Sequence, residues 1–262
     1  MFERKMKMNL KLIKLSCGAF GVVALLSILA ACGSVQANGQ YTPLDLHLSS
    51  AKTQNASNPV YSPYVLVVPA SGTCHTGGMQ VLPGTSYTAE ANGQSYPVQL
   101  DNTTHTATFP TLPDNTWVVI HVPTNTDLNL YDCNGTIQVG TNGQPVITGQ
   151  MNIRANTIQV TQVHLLGNSH LHVDNGTINF VGSLDSNSTD VFDDNTGWIS
   201  VQLPKSDSFH IDALTNAGNI STNLGTPTQS GSSSQLHVSS QPALGAVLTV
   251  NENSGSMNFN IV

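Results

Sequence analysis

Gly135-Thr136-Ile137-Gln138-Val139, Gly176-Thr177-Ile178-Asn179-Phe180, Gly197-Trp198-Ile199-Ser200-Val201, Gly218-Asn219-Ile220-Ser221-Thr222 and Gly255-Ser256-Met257-Asn258-Phe259 are five versions of one unit: a turn, then Gly-x-Ile-x-apolar. A sixth, Asn156-Thr157-Ile158-Gln159-Val160, has Asn at the anchor. The anchors at 135, 156, 176, 197 and 218 are 21, 20, 21 and 21 residues apart, and the step to 255 is 37. A fixed period of this length is the signature of a repeat architecture. Each unit also has an alternating run before its turn, such as His170-Leu171-His172-Val173, so one repeat is about two strands. Gly or Asn at the anchor is expected to supply a left-handed corner, with the Ile two places later pointing inward. Stacked at about 4.8 Å per strand, these isoleucines would form one apolar column with Asn, Thr and Ser lining the corners.

The fold expected is therefore all-β: a parallel β-solenoid with about 21-residue coils over 113–262, preceded by a β-rich cap over 60–112. The alternative is an antiparallel β-sandwich, with the five Asn-Gly pairs from Asn38-Gly39 to Asn175-Gly176 as hairpin turns. The period favours the solenoid, because later turns are Asn195-Thr196-Gly197 and Asn216-Ala217-Gly218 without a change of spacing. The long step to 255 reads as a Ser/Gly-rich insertion near 225–242. Between Val60 and Phe109, short alternating runs broken by Gly77-Gly78, Pro83-Gly84 and Asn92-Gly93 predict strands and turns.

The N-terminus carries Arg4, Lys5, Lys7, Lys11 and Lys14, then an apolar segment from Leu15 to Ala31, which is the layout of a secretory signal peptide over 1–31. It ends Leu29-Ala30-Ala31-Cys32-Gly33, which resembles the bacterial lipoprotein box. That resemblance implies a lipidated Cys32, stable anchoring by two or more acyl chains, and a membrane as partner. Ordinary cleavage after Val35-Gln36-Ala37 is the alternative. Residues 32–59 then read as the lipidated cysteine and a tether. Cys74 and Cys133 remain in the exported chain and are expected to form a structural disulfide; no Cys-x-x-Cys suggests redox chemistry.

From Val118 to Val262 the chain resembles a bacterial putative-adhesin family of β-strand repeats, through Val122-Pro123, Leu203-Pro204, the repeated corners and Phe180-Val181-Gly182-Ser183-Leu184. The resemblance implies a right-handed parallel β-solenoid exported to the cell envelope. It carries no activity with it.

Composition excludes other classes. Only 9% of residues are charged, and residues 32–262 keep 3 of the 8 cations and 14 of the 15 anions. No basic face for nucleic acid is available. The surface favours a neutral partner such as a glycan, or a surface protein, over an anionic one. No nucleophile elbow, P-loop, zinc-protease or dinucleotide motif occurs, so the expectation is no enzyme, no cofactor and no metal site. Asp190, Asp193 and Asp194 could build a calcium site or a hydrolase carboxylate set, but Asp193-Asp194-Asn195-Thr196-Gly197 reads better as a turn bonding its own backbone. His170 and His172 have a spacing that two metal ligands could use, and read better as solvent-facing partners of core Leu171 and Val173. Trp198 is expected to project outward and Trp117 to pack in the cap.

Overall fold

The period-2 alternation of the sequence becomes strands throughout the computed structural model, which describes residues 64–69, 74–141, 148–240 and 245–262. The signal segment, Cys32, the tether and the Leu44–Leu48 alternation lie outside the described residues. Among the described residues no helix is long and apolar enough to cross a membrane.

The strands are β1 (Val65–Val68), β2 (Met79–Gly84), β3 (Thr88–Ala91), β4 (Gln94–Tyr96), β5 (Gln99–Asp101), β6 (Thr106–Thr108), β7 (Val118–Pro123), β8 (Asp127–Tyr131), β9 (Thr136–Val139), β10 (Thr148–Gly149), β11 (Met151–Arg154), β12 (Thr157–Leu165), β13 (His170–Val173), β14 (Gly176–Leu184), β15 (Thr189–Leu203), β16 (Phe209–Thr222), β17 (Thr228–Ser230), β18 (Ser233–Ser239) and β19 (Ala246–Ile261). They join in one large mixed sheet.

Two parallel ladders organise it, one entering the corners and one leaving them. The entry ladder runs β1, β8, β11, β13, then the first halves of β15, β19 and β16. The exit ladder runs β7, β2, β9, β12, β14, then the second halves of the same three long strands. Antiparallel hairpins cover the outer strands: β3–β4 on β7, β5–β6 on β1, and β17–β18 on β16. Covering the edges removes open backbone that would otherwise template pairing with another chain.

The apolar column is present in register: Ile137, Ile158, Ile178 and Ile199 follow one another, all fully buried. They belong to a single core cluster that extends from Leu66 in β1 to Phe259 in β19. Leu171 and Val173, for example, point inward beside the partly exposed His170 and His172.

Two expectations are corrected here. The column does not continue in chain order, because Met257 follows Ile199 and Ile220 comes last. β19 lies between β15 and β16, and within the stretch read as a Ser/Gly-rich insertion Thr228–Ser230 and Ser233–Ser239 form the β17–β18 hairpin on the edge of β16. β16 lies at the end of the stack and is the more open strand, with Leu214 exposed and Ile220 slightly open, whereas Met257 on β19 is buried.

The second correction concerns the corner glycines. Gly135, Gly176, Gly218 and Gly255 do not adopt positive φ, and Gly197 at 157° is close to extended. Glycine is needed because stacked corners bring backbone against backbone. A Cβ on Gly176 would sit 1.7 Å from the Asn156 carbonyl oxygen, and one on Gly218 would sit 1.5 Å from that of Gly255. Left-handed glycine occurs elsewhere: Asn92-Gly93 has φ of 52° and 73° and turns the β3–β4 hairpin, the geometry an Asn-Gly hairpin favours.

Candidate functional site

At four corners an inward-pointing polar side chain of the entry ladder, Asp132, Asp194, Thr215 or Glu252, stands beside a corner glycine. Register puts Asp132, Ala155, Val173, Asp194, Glu252 and Thr215 in one column, all buried. The two ends of this column differ chemically.

At the N-terminal end, Cys74 and Cys133 are joined by a disulfide with Cα atoms 5.3 Å apart. Beside it Asp132 accepts four hydrogen bonds. Oδ2 takes the Gly78 amide at 2.9 Å and His75 Nδ1 at 3.1 Å, and Oδ1 takes the amides of Asn134 at 3.1 Å and Gly135 at 2.5 Å. His75 Nε2 bonds the Pro113 carbonyl at 3.1 Å. Burial works against the charged imidazole, but Asp132 and the Pro113 carbonyl more than offset it, so the His75 pKa is raised.

At the C-terminal end, Asp194 and Glu252 stand in register on adjacent strands with Thr215 on the next. Asp194 Oδ1 accepts the Thr196 amide at 2.9 Å and Glu252 Oε1 accepts the Gly197 amide at 3.1 Å. Asp194 Oδ2, Glu252 Oε2 and Thr215 Oγ1 have no hydrogen-bond partner. Burial pushes Asp194 up to about 6, and burial together with the Asp194 charge pushes Glu252 up to about 7. Two carboxyls this close favour keeping one proton between them. They lie beneath a shallow surface depression lined also by His172, Asp174, Asp193 and Asn251.

Asp190, Asp193 and Asp194 do not converge. Asp190 points into the core, where it accepts the Ser169 amide at 3.0 Å and the Ser188 hydroxyl at 2.6 Å, and burial raises its pKa. Asp193 points outward to His170 Nε2, at 2.8 Å. Asp194 bonds its own corner backbone, as a turn carboxylate does. The stretch is nevertheless the bend inside β15 rather than a loop.

The outer face of the exit ladder carries a flat row. Trp117, Gly78, Thr136, Thr157, Thr177 and Trp198 succeed one another strand by strand, and the next row includes Gln80, Gln138, Gln159, Asn179 and Ser200. Gln138 and Gln159 are bonded side chain to side chain at 3.1 Å. Trp198 is 44% exposed, as expected of a residue pointing outward. Trp117 is 40% exposed with its ring over Gly78, so it lies on the surface rather than packed within a cap. At the corners, Asn195, Asn253 and Asn216 form a ladder of side-chain amides with bonds of 3.2 Å.

Glu252, Thr215 and the two exposed tryptophans in one row are absent from the sequence reading. A signal existed for the first two: Asp132, Asp194, Thr215 and Glu252 all stand three residues before an anchor glycine.

No family model and no curated protein matches the chain. Among solved structures, a putative cell adhesion protein from Clostridium sporogenes ATCC 15579 is similar at 12% identity and a TM-score of 0.33, over 72% of this chain and 90% of that one.

Proposed function

We propose that this chain is an exported, lipid-anchored envelope module that binds without catalysis, and that its partner is a neutral glycan lying along the exit ladder. The observation that carries the reading is the row from Trp117 to Trp198. Two exposed indoles, about 24 Å apart at roughly 4.8 Å per strand, bracket the row of Thr136, Thr157 and Thr177. Aromatic faces with hydroxyl and amide neighbours suit an uncharged polar polymer, and the near absence of cations disfavours an anionic one. The parallel register supports reading 113–262 as a solenoid whose stacked coils give this row its regular spacing. The signal segment and the Cys32 box support anchoring at the bacterial envelope through the lipid.

A glycan array probed with the mature chain, alongside Trp198→Ala, tests the binding reading. Retention of neutral glycans that the variant loses supports it, and a blank array counts against it. Mass spectrometry of the mature N-terminus tests the anchor: a diacylglyceryl Cys32 is expected, and an unmodified Asn38 terminus would exclude it.

A second reading, a carbohydrate-active enzyme, is favoured by one arrangement. Asp194 and Glu252 are adjacent carboxyls with raised pKa values beneath a depression that also exposes Asp193 and His172. Both side chains are at least 96% buried and spend an oxygen on corner amides, which supports a structural role instead. Release of reducing ends from plant or bacterial polysaccharides would favour the enzyme.

A further inference from the structure

The outer face of the entry ladder holds a constellation that the flat-surface reading does not use. His170 and His172 project from the same side of β13, two residues apart. β15 lies beside it in parallel register, placing Asp193 opposite His172. One ligand atom from each of the three residues lies within 4.8 Å of the other two. We propose that His170, His172 and Asp193 form a binding site for a divalent transition-metal ion, with zinc the ion the ligand chemistry fits best.

Two imidazoles and one carboxylate are the donor set of a three-ligand zinc site, and the solvent side leaves a further coordination position open. A hard ion such as calcium or magnesium would want oxygen ligands throughout, which this cluster lacks. The three side chains are about 30% exposed, so an ion has access, and they are held in place by their surroundings. Asn251 Nδ2 donates to Asp193 Oδ1 at 2.9 Å, leaving Oδ2 directed at His170 Nε2. His172 Nε2 lies 3.3 Å from Asp174 Oδ1, and Asp174 is fixed in turn by Arg154 Nη2 at 2.6 Å. Such outer contacts orient ligands and sharpen affinity.

The same face offers an internal comparison. His210, Asp212 and His237 also gather two imidazoles and a carboxylate, across the antiparallel β16–β18 pair. Asp212 approaches His237 Nδ1 at 2.5 Å and His210 Nε2 at 3.6 Å, but His237 is 65% exposed. That cluster is the looser one, and the tight step belongs to His170, His172 and Asp193.

Isothermal titration of the intact mature chain with zinc chloride alone, at pH 7.5, tests this. One tight step is expected, weakened at least tenfold by His172→Ala and by Asp193→Asn and retained in His210→Ala. Zinc binding equal in the wild type and a His170→Ala/His172→Ala double variant would overturn the proposal, as would loss of the tight step in His210→Ala alone. Should a variant fail to fold, NMR of the wild type gives the answer. Zinc-dependent shifts of the His170 and His172 ring signals support the site, and unchanged signals at saturating zinc overturn it.

Discussion

The two ends of the corner column are built on the same backbone bend and solve opposite problems. At the Asp132 end, one buried carboxylate meets three amides and an imidazole beside a disulfide, and each oxygen is used. At the Asp194–Glu252 end, two carboxyls and a hydroxyl stack on adjacent strands and each leaves an oxygen without a partner. Parallel register sets this position of each strand beside the same position of its neighbours, so Asp132 lies beside Ala155 whereas Asp194 lies beside Glu252. A single acid in the column is stabilised by the amides of its corner, whereas two in succession repel and hold a proton.

That contrast should be visible in stability, the largest effect coming from the satisfied end. Asp132→Ala strands three amide donors and His75, and is expected to cost about 3–5 kcal/mol; urea denaturation at pH 7 measures it. Replacing both Cys74 and Cys133 with Ala should cost about 2–4 kcal/mol by loosening the unfolded chain over a 59-residue separation. The same titration under reducing conditions should reproduce the loss in the wild type.

The unsatisfied end should respond in the other direction. The folded Glu252 carboxyl, at about 7, lies above its ordinary 4.5, so its protonated form stabilises the fold fully below pH 4.5. That contribution disappears as pH rises toward 7. The groups facing it are Asp194 on β15 and Thr215 on β16. Glu252→Gln should therefore match the wild type at pH 4 and be more stable by on the order of 2 kcal/mol at pH 8. A Gln variant less stable than wild type at pH 8 would show that the charged pair is held by something other than a shared proton. The smallest effect belongs to the surface: Gln159→Ala, which removes the amide pair with Gln138, should change stability by less than about 0.5 kcal/mol.

Much of the fold could be read from the chain. The 21-residue spacing of Gly-x-Ile places Ile137, Ile158, Ile178 and Ile199 in register, and among the described residues Cys74 and Cys133 pair as expected. The order of the last strands could not be read, because β19 pairs with β15 across 58 residues and nothing local records that choice. Local patterns also mislead where one dipeptide serves two ends: Asn92-Gly93 turns a hairpin, while Asn175-Gly176 turns a corner between parallel ladders. The site was less legible than the fold. Asp193 meets His170 and His172, and Trp117 shares a row with Trp198, only through cross-strand register, which a one-residue slip would abolish.

The exit-ladder row makes the sharpest demand on the functional account. Titration of a neutral polysaccharide retained by the mature chain should give binding that is insensitive to salt, and Trp117→Ala and Trp198→Ala should each weaken it at least tenfold. Binding unchanged in both variants, or confined to charged polymers and lost with salt, would contradict the account.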